Sequence, residues 1–308
     1  MKKKKIALKD LRRFSALYLM LIPGIIYLII NNYMPMAGLV LAFKKVNYQI
    51  GIFQSPWTGF SNFKYLFSTK DAAQFFRNTI CYNLAFIILG NLLGLIVAIS
   101  LDSIKKKFFQ KASQTVILFP YLLSTVIVSY IVFAMLSGKN GFMNMTILPL
   151  FGIDPISWYN QPKYWPVILT ITYLWMSFGY SSILYYSTLI GIDKSLYEAA
   201  VVDGAGVWAQ IKFITIPAMK TTVITLVLMA VGRICYSDFG LFYQVPMNSG
   251  MLYSTTQTID TYVYRGLLEL NDIGRSTAAG FLQSVLGFIC VITANSVVKK
   301  LDEDSSLF

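Results

Sequence analysis

The feature that most constrains this sequence is a set of apolar runs long enough to cross a membrane. Six runs approach the length of about 20 mostly apolar residues that a helix needs to span the hydrocarbon layer. They cover residues 14–30, 79–101, 112–136, 166–190, 221–244 and 277–298. A further run, 34–43, is too short to span and predicts an interfacial or folded-back segment. The predicted fold class is an all-α polytopic membrane protein with six transmembrane helices.

The composition agrees with burial in lipid. Hydrophobic residues make up 56% of the chain and charged residues 13%, about half the charged share of a typical soluble protein. There are no histidines, which removes the commonest metal ligand and the commonest acid–base catalyst at neutral pH. The three cysteines are far apart in sequence, and no CxxC pair suggests a zinc or redox site. We therefore expect no metal on this chain.

The formal net charge of +12 is explained by topology. If both chain ends are cytoplasmic, most lysines and arginines lie inside, clustered at span ends such as residues 105–107. The positive-inside rule describes this distribution, so nucleic-acid binding is not needed to explain the charge. Residues 1–13 and 299–308 are then a cytoplasmic N-terminus and tail. No small-x-small cleavage site follows the first run, so we interpret it as a retained span rather than a signal peptide.

Three predicted outside segments are longer than a simple connection requires: residues 31–78, 137–165 and 246–275. They are rich in Tyr, Trp, Phe, Gly and Pro. Trp57, Trp158 and Trp165 flank span ends or loops, where aromatic rings favour the membrane interface. The sequence leaves two interpretations open, which are interfacial anchoring and a docking surface for an extracellular partner.

The inside loop 193–217, DKSLYEAAVVDGAGVWAQIKFITIP, is the most informative segment. Ser195 followed by Glu198 fits the S-x-x-E capping box, which places a short helix directly after Ser195. Gly204 permits a sharp turn, and a second short helix is predicted over 207–213. The loop is therefore expected to form a helix–turn–helix along the cytoplasmic face.

This loop resembles the signature EAA-x3-G-x9-I-x-L-P of the membrane subunits of bacterial ATP-binding-cassette importers. The matching positions are Glu198 with the two alanines after it, Gly204, Ile214 and Pro217, and Ile216 stands where leucine is usual. The stretches LYLMLIPGIIYLII, SPWTGFSNFKYLF and IDTYVYRGLLE look like the sugar-permease branch, and more narrowly like permeases for complex carbohydrates and oligosaccharides. The resemblance covers nearly the whole chain.

The resemblance implies a non-catalytic permease subunit in a bacterial cell membrane, forming half of the pathway for an oligosaccharide or related carbohydrate. A core domain, 79–298, would hold five transmembrane helices after the first helix and the extracytoplasmic segment 31–78. The implied partners are a second homologous permease subunit, two ATPase subunits and an extracytoplasmic solute-binding protein. The chain has no GxxxxGK[ST] motif, so ATP and Mg would be bound by the ATPase subunits and no cofactor by this chain.

The resemblance also implies which residues couple the permease to its ATPase. In relatives the EAA helix fits a cleft on the ATPase and moves with it as a rigid body. Glu198 has two open roles, pairing with a basic group on the ATPase or acting within the capping box. The implied coupling residues are Ser195, Tyr197, Glu198, Ala199, Ala200, Asp203, Gly204, Ala205 and Gly206.

Charged residues interrupt the fifth run, in GRICYSDFGLFY. Charge within a membrane is costly and usually faces a partner or a cavity. Arg233 and Asp238 could form an internal ion pair or pair with another span, or they could line the translocation path. Arg233 would suit an anionic saccharide and Asp238 a neutral one, and the sequence leaves this choice open. The predicted pathway residues are Arg233, Tyr236, Ser237, Asp238, Trp175, Tyr173 and Tyr180.

Two other functions are typical of polytopic membrane chains and compete with the permease interpretation. A secondary transporter driven by an ion gradient would predict internal repeats and midplane carboxylates, and the sequence shows no convincing repeat. A membrane enzyme would need a catalytic constellation, which the sequence does not supply. The sequence does not identify the saccharide or the ATPase, nor whether the partner permease is a homologue or a second copy.

Overall fold

The computed structural model describes residues 14–301. The predicted cytoplasmic segment 1–13, and residues 302–308 of the predicted tail, lie outside the described residues. Within them the chain is mostly helical, and its one β-type pairing is an isolated antiparallel bridge between Lys44 and Trp57. The prediction of an all-α fold is confirmed.

Helices of different lengths follow one another along the chain, several of them extended by short π-helical or 3-10 turns. They are α1 Ser15–Leu28, α2 Ser61–Ser68, α3 Lys70–Asp102, α4 Lys107–Leu118, α5 Thr125–Leu136, α6 Trp165–Leu189, α7 Lys194–Val202, α8 Val207–Gln210, α9 Lys220–Gly232, α10 Phe239–Gln244, α11 Tyr253–Thr256, α12 Ile259–Leu268 and α13 Ile273–Leu301. Among the described residues, four helical stretches are long and apolar enough to cross a membrane, and two bent pairs raise the number to six if each pair is one span.

The first span is longer than predicted. Helical structure continues past α1 through a π-helical turn, Ile29–Tyr33, and a 3-10 segment, Ala37–Phe43, so that one apolar stretch runs over Ser15–Phe43. Pro35 does not end it, because the proline comes just after the π-helical turn, and local π and 3-10 adjustments let a membrane helix tolerate a proline. The separate interfacial segment predicted at 34–43 is therefore wrong.

The third predicted span is not a straight helix. The helix pair α4 and α5 meets at an angle of 92°. Pro120 stands in the 3-10 turn between them, where a residue without an N–H cannot continue an α-helix. Ser124 then starts α5 by accepting a hydrogen bond from the Ile127 N–H at 3.4 Å.

The fifth predicted span, 221–244, is also broken. Helix α9 ends at Gly232, and α10 begins only after Asp238. The Asp238 carboxylate accepts a hydrogen bond from the Leu241 N–H at 3.0 Å and so caps α10. A non-helical segment, residues 233–238, therefore lies at the level where a continuous helix was expected.

The outer tryptophans have different environments. Trp165 is fully buried, and its indole N–H donates to the Trp158 carbonyl at 2.9 Å. The Trp158 indole N–H donates to the Asn144 side-chain oxygen at 3.0 Å. Only Trp57 of the three remains largely exposed, at 67%. The segment before α6, which is predicted to lie outside, is thus a packed structure, and interfacial anchoring is wrong for Trp165.

Helix α6 packs closely against α3 and α4, and small residues permit the approach. A Cβ at Gly179 would overlap the carbonyl oxygen of Ile117 in α4. We expect Gly179→Ala to destabilise the protein by about 1–3 kcal/mol, because two backbones would have to separate. Thermal unfolding of the purified protein measures this loss. Gly280→Ala in α13 is the control, since its Cβ would meet no atom within 4 Å; equal loss in both variants would contradict the packing argument.

Candidate functional site

A cavity of about 700 Å³ lies between α3, α6, α9 and the broken segment that follows α9. It is lined by the side chains or backbone of six of the seven predicted pathway residues, Tyr173, Tyr180, Arg233, Tyr236, Ser237 and Asp238. The seventh, Trp175, lies in α6 but is not part of the lining. Residues at helical spacing share a face, and Trp175 is two positions from Tyr173, which places it on a different face.

Two helices contribute lining residues that are not among the predicted pathway residues. Helix α3 contributes Asn83, Phe86, Ile87, Gly90 and Asn91, and α6 contributes Ser177, Ser181 and Leu184. Both sets recur at the three- and four-residue spacing of one helix face. Small and polar residues recur at this spacing within each apolar run, and this pattern could have identified the additional lining residues from the sequence.

Aromatic rings form one wall of the cavity. Tyr173 stacks on Phe86 with 3.8 Å between ring centroids and 9° between planes. Tyr180 stacks on Tyr121 at 4.9 Å and 13°. Each tyrosine is therefore held by a second ring, and the wall offers flat apolar surface with phenolic hydroxyls.

The two charged residues of the broken segment have different roles. Within residues 14–301, no salt bridge joins Arg233 to Asp238, so the internal ion pair between them is not formed. One carboxylate oxygen of Asp238 accepts the hydrogen bond that caps α10. The Arg233 guanidinium lines the cavity, exposed and without a hydrogen-bond or salt-bridge partner among the described residues. The cavity thus presents a guanidinium without a partner among the described residues, together with the Asp238 carboxylate, whose one hydrogen bond leaves its negative charge in place.

The loop between α6 and α9 contains the predicted helix–turn–helix, with a different cap. Asp193, not Ser195, caps α7, because its carboxylate accepts the Ser195 N–H at 2.9 Å. This bond, with a second from the Ser195 hydroxyl, lowers the pKa of the Asp193 carboxyl, so the cap is ionised at neutral pH. Glu198 is exposed and makes no hydrogen bond or salt bridge within the described residues. The predicted capping box is therefore wrong.

The turn after α7 depends on a glycine. Gly204 has φ of +78°, a left-handed conformation that side chains disfavour. The Gly204 N–H donates to the Val201 carbonyl at 3.0 Å, and the Ala205 N–H to the Ala200 carbonyl at 2.8 Å. These bonds close the C-terminus of α7 and reverse the chain.

The second helix of the loop is longer than predicted. Helical structure continues from α8 through Ile211–Thr215 to Ile216–Ala218, past the predicted end at Phe213. Pro217 is tolerated at the start of the last short segment. The hydroxyls of Tyr197 and Thr215 lie 3.0 Å apart and join the two helices of the loop.

Apolar side chains on this loop point away from the rest of the chain. Val202 is 87% exposed and Trp208 is 84% exposed, and Val201, Val207 and Phe213 are also largely exposed. Contiguous exposed apolar surface of this kind marks an interaction site. Nothing within the described residues covers it.

Comparison with known proteins assigns the chain to a family. Residues 90–303 match the model of the family described as binding-protein-dependent transport system inner membrane component. The chain belongs to this family. Members are permease subunits of importers, so the alternative of a transporter driven by an ion gradient is not supported.

Curated relatives match the permease over nearly its whole length. Protein LplB of Bacillus subtilis (strain 168) is 32% identical, over 96% of this chain and 92% of that protein. The polygalacturonan/rhamnogalacturonan transport system permease protein YteP of the same organism is 30% identical, over 98% of this chain and 93% of that protein.

Solved structures show the same architecture. One is a chain of a bacterial ABC transporter involved in the import of the acidic polysaccharide alginate, with a TM-score of 0.87 and 31% identity over 96% of this chain and 98% of that one. Another is a bacterial alginate ABC transporter in complex with an alginate pentasaccharide-bound periplasmic protein, with a TM-score of 0.86 and 30% identity. The permease is thus a multi-pass membrane protein of the importer type.

Proposed function

We propose that this permease forms half of the translocation pathway of an ATP-driven, binding-protein-dependent importer for an oligosaccharide or related carbohydrate. The observation that carries the proposal is the cavity of about 700 Å³ with stacked tyrosines on one wall and hydroxyls and Arg233 on another. Sugars present ring faces that pack on aromatics and hydroxyls that need polar partners. The relatives YteP and the alginate importer are named for carbohydrate transport.

Within this proposal the substrate carries negative charge. Among the described residues Arg233 has no hydrogen-bond or salt-bridge partner, whereas Asp238 is engaged as a helix cap. A guanidinium binds a carboxylate through two parallel hydrogen bonds, and an unpaired one in a partly desolvated cavity favours such a ligand. The names of YteP and of the alginate importer, both acidic-polysaccharide systems, agree with this choice.

The loop built from α7 and α8 is the coupling element in this proposal. Its exposed apolar residues, with Glu198 beside them, would dock in a cleft of an ATPase subunit that binds ATP and Mg. The permease itself would be non-catalytic. The coupling residues proposed from the sequence lie in α7, in the turn and at the start of α8, and Tyr197 holds the two helices together.

The assembly would contain a second homologous permease, two ATPase subunits and an extracytoplasmic solute-binding protein. Both ends of the chain would be cytoplasmic, and the core domain would be 79–298. An even number of spans and the lysine and arginine clusters near the inside ends support that orientation. The structure of the alginate importer with its loaded periplasmic protein supports the binding-protein partner.

We expect Glu198→Ala to reduce uptake severely without destabilising the permease. The exposed Glu198 side chain makes no hydrogen bond or salt bridge within the described residues, so its loss removes little from the fold, and any large defect arises at the partner. Uptake per complex and thermal stability, measured together, check this. The control is Lys194→Ala, an exposed change at the start of the same helix. Normal uptake in Glu198→Ala would contradict the coupling role.

The first experiment is a gentle-detergent pull-down of the tagged chain from its native host, with subunits identified by mass spectrometry. Recovery of a second permease and an ATPase that carries the GxxxxGK[ST] motif supports the assembly. The recovered complex, reconstituted with its binding protein, is then tested for uptake of galacturonate-containing and neutral oligosaccharides. Recovery of the chain alone, active in uptake and sensitive to an ion gradient, would overturn the proposal.

A further inference from the structure

The broken segment after α9 is held by side chains from other helices. Non-helical backbone at membrane depth needs partners for its polar groups, because lipid supplies none. The Asn83 amide of α3 donates to the carbonyls of Ile234 and Tyr236, each at 2.9 Å. The Gln283 amide of α13 donates to the Cys235 carbonyl at 2.8 Å. Three successive carbonyls of the segment are therefore satisfied from outside it.

A carboxylate from the outer part of the chain completes this set. Asp260 in α12 accepts hydrogen bonds from the Ser237 N–H at 2.6 Å and from the Ser237 hydroxyl at 2.7 Å. It also accepts from the Gln283 amide at 3.1 Å. Asp260 thus contacts both the broken segment, through Ser237, and Gln283, a side chain that supports it.

The helix that carries Asp260 is itself firmly placed. Thr258 and Thr261 form a capping box at its start, and both are fully buried. The Ile259 N–H donates to the Thr79 hydroxyl of α3 at 3.0 Å. A firmly held helix end gives Asp260 a defined position, which it transmits to Ser237 through two short hydrogen bonds.

We propose that Asp260 is a positioning residue for transport: through Ser237 it fixes the broken segment, and thereby holds Arg233, Tyr236 and Asp238 at the cavity. Because α12 belongs to the outer segment 246–275, the same contact would link the position of that segment to the shape of the cavity. The inference rests on the proposed function, since it gives Asp260 a role in carbohydrate transport.

Two substitutions separate positioning from general folding. Asp260→Ala removes the acceptor for all of these donors. Asp260→Asn keeps the volume and the one oxygen that both Ser237 donors and the Gln283 amide reach, but it puts an amide nitrogen 3.1 Å from the Gln283 amide nitrogen, so one acceptor is lost and two N–H groups face each other. The control is Asp154→Asn, an exposed aspartate in the outer segment before α6.

The test uses the assembled complex, with uptake and basal ATP hydrolysis measured per complex. We expect Asp260→Ala to lower uptake about ten-fold or more, and Asp260→Asn to lower it less, while basal hydrolysis changes by less than about two-fold. Adding Ser237→Ala to Asp260→Ala should lower uptake by less than the product of the two single effects, because the two side chains share a hydrogen bond; the further loss that remains comes from the Ser237 hydroxyl's bond to the Thr258 hydroxyl at 2.7 Å. Full additivity, or normal uptake in both Asp260 variants, would overturn the proposal.

A second measurement does not require transport. Tyr236→Cys is introduced into a chain whose native cysteines are replaced, and its rate of reaction with a membrane-impermeant maleimide is measured. We expect Asp260→Ala to change this rate at least about three-fold, because the segment that carries residue 236 loses its anchor. An unchanged rate would contradict positioning. If the wild-type complex transports no saccharide, the proposed function fails, and the labelling rate still tests Asp260.

Discussion

Replacing Gly204 by aspartate is expected to abolish coupled uptake while leaving the permease inserted in the membrane. Gly204 has φ of +78°, and this left-handed conformation costs an ordinary side chain roughly 1–2 kcal/mol. The exposed loop has little packing to hold the strained turn, so the direction of α7 relative to α8 would change. Uptake and ATP hydrolysis in the reconstituted complex measure the loss; hydrolysis that continues without transport is the expected result.

Gly206→Asp is a matched control for this prediction. Gly206 lies two residues away in the same exposed turn, but its φ is −70°, and a Cβ there would meet no atom within 4 Å. It also occupies the N-cap position of α8, where aspartate is among the preferred residues. A clearly smaller loss of uptake than in Gly204→Asp is expected, because Gly206 belongs to the proposed coupling surface but its backbone keeps its conformation. Equal loss in both variants would show that charge at the turn, rather than the backbone conformation of Gly204, causes the defect.

The sequence was informative wherever the cause of structure is local. Each of the six predicted apolar runs contains a helix, although the first helix is longer than its run and the fifth run is broken, and Gly204 lies at the predicted turn. The sequence also contained the residue that caps α7. Asp193 lies two residues before Ser195, and its carboxylate forms the cap that was predicted for Ser195. The bend at Pro120 could similarly have been predicted from the proline.

The broken segment after α9 was harder to predict, because its cause is distant in sequence. Its carbonyls are satisfied by Asn83 and Gln283, and its Ser237 by Asp260, from three different helices. The sequence does not show that these partners lie next to the segment. From the sequence alone, an apolar run with two charges therefore predicts a helix with a local interruption. Asp260 was missed for the same reason, since its position in an outer segment carries no sign of contact with the cavity.

Arg233→Gln is expected to lower uptake of an acidic oligosaccharide strongly while sparing a neutral one of the same length. Arg233 lines the cavity without a hydrogen-bond or salt-bridge partner among the described residues, so its removal costs the fold little and leaves a substrate carboxylate without its counter-charge. Hydrogen bonds to charged groups contribute about 1.5–3 kcal/mol, which corresponds to a loss of roughly ten- to a hundred-fold. Uptake of galacturonate-containing and neutral galactose-containing oligomers by one reconstituted complex measures the ratio.

Asp238→Asn provides the opposite change in the same segment. Asparagine is as good an N-cap as aspartate, so α10 should keep its start while the negative charge of residue 238 is lost. A carboxylate near a bound acidic saccharide repels it, so uptake of the acidic oligomer should stay constant or rise. If Arg233→Gln instead lowers the uptake of both oligomers equally, Arg233 shapes the cavity but does not select the substrate by its charge. If Asp238→Asn alone abolishes neutral uptake, the cavity is built for a neutral sugar, and the assignment of an anionic substrate is wrong.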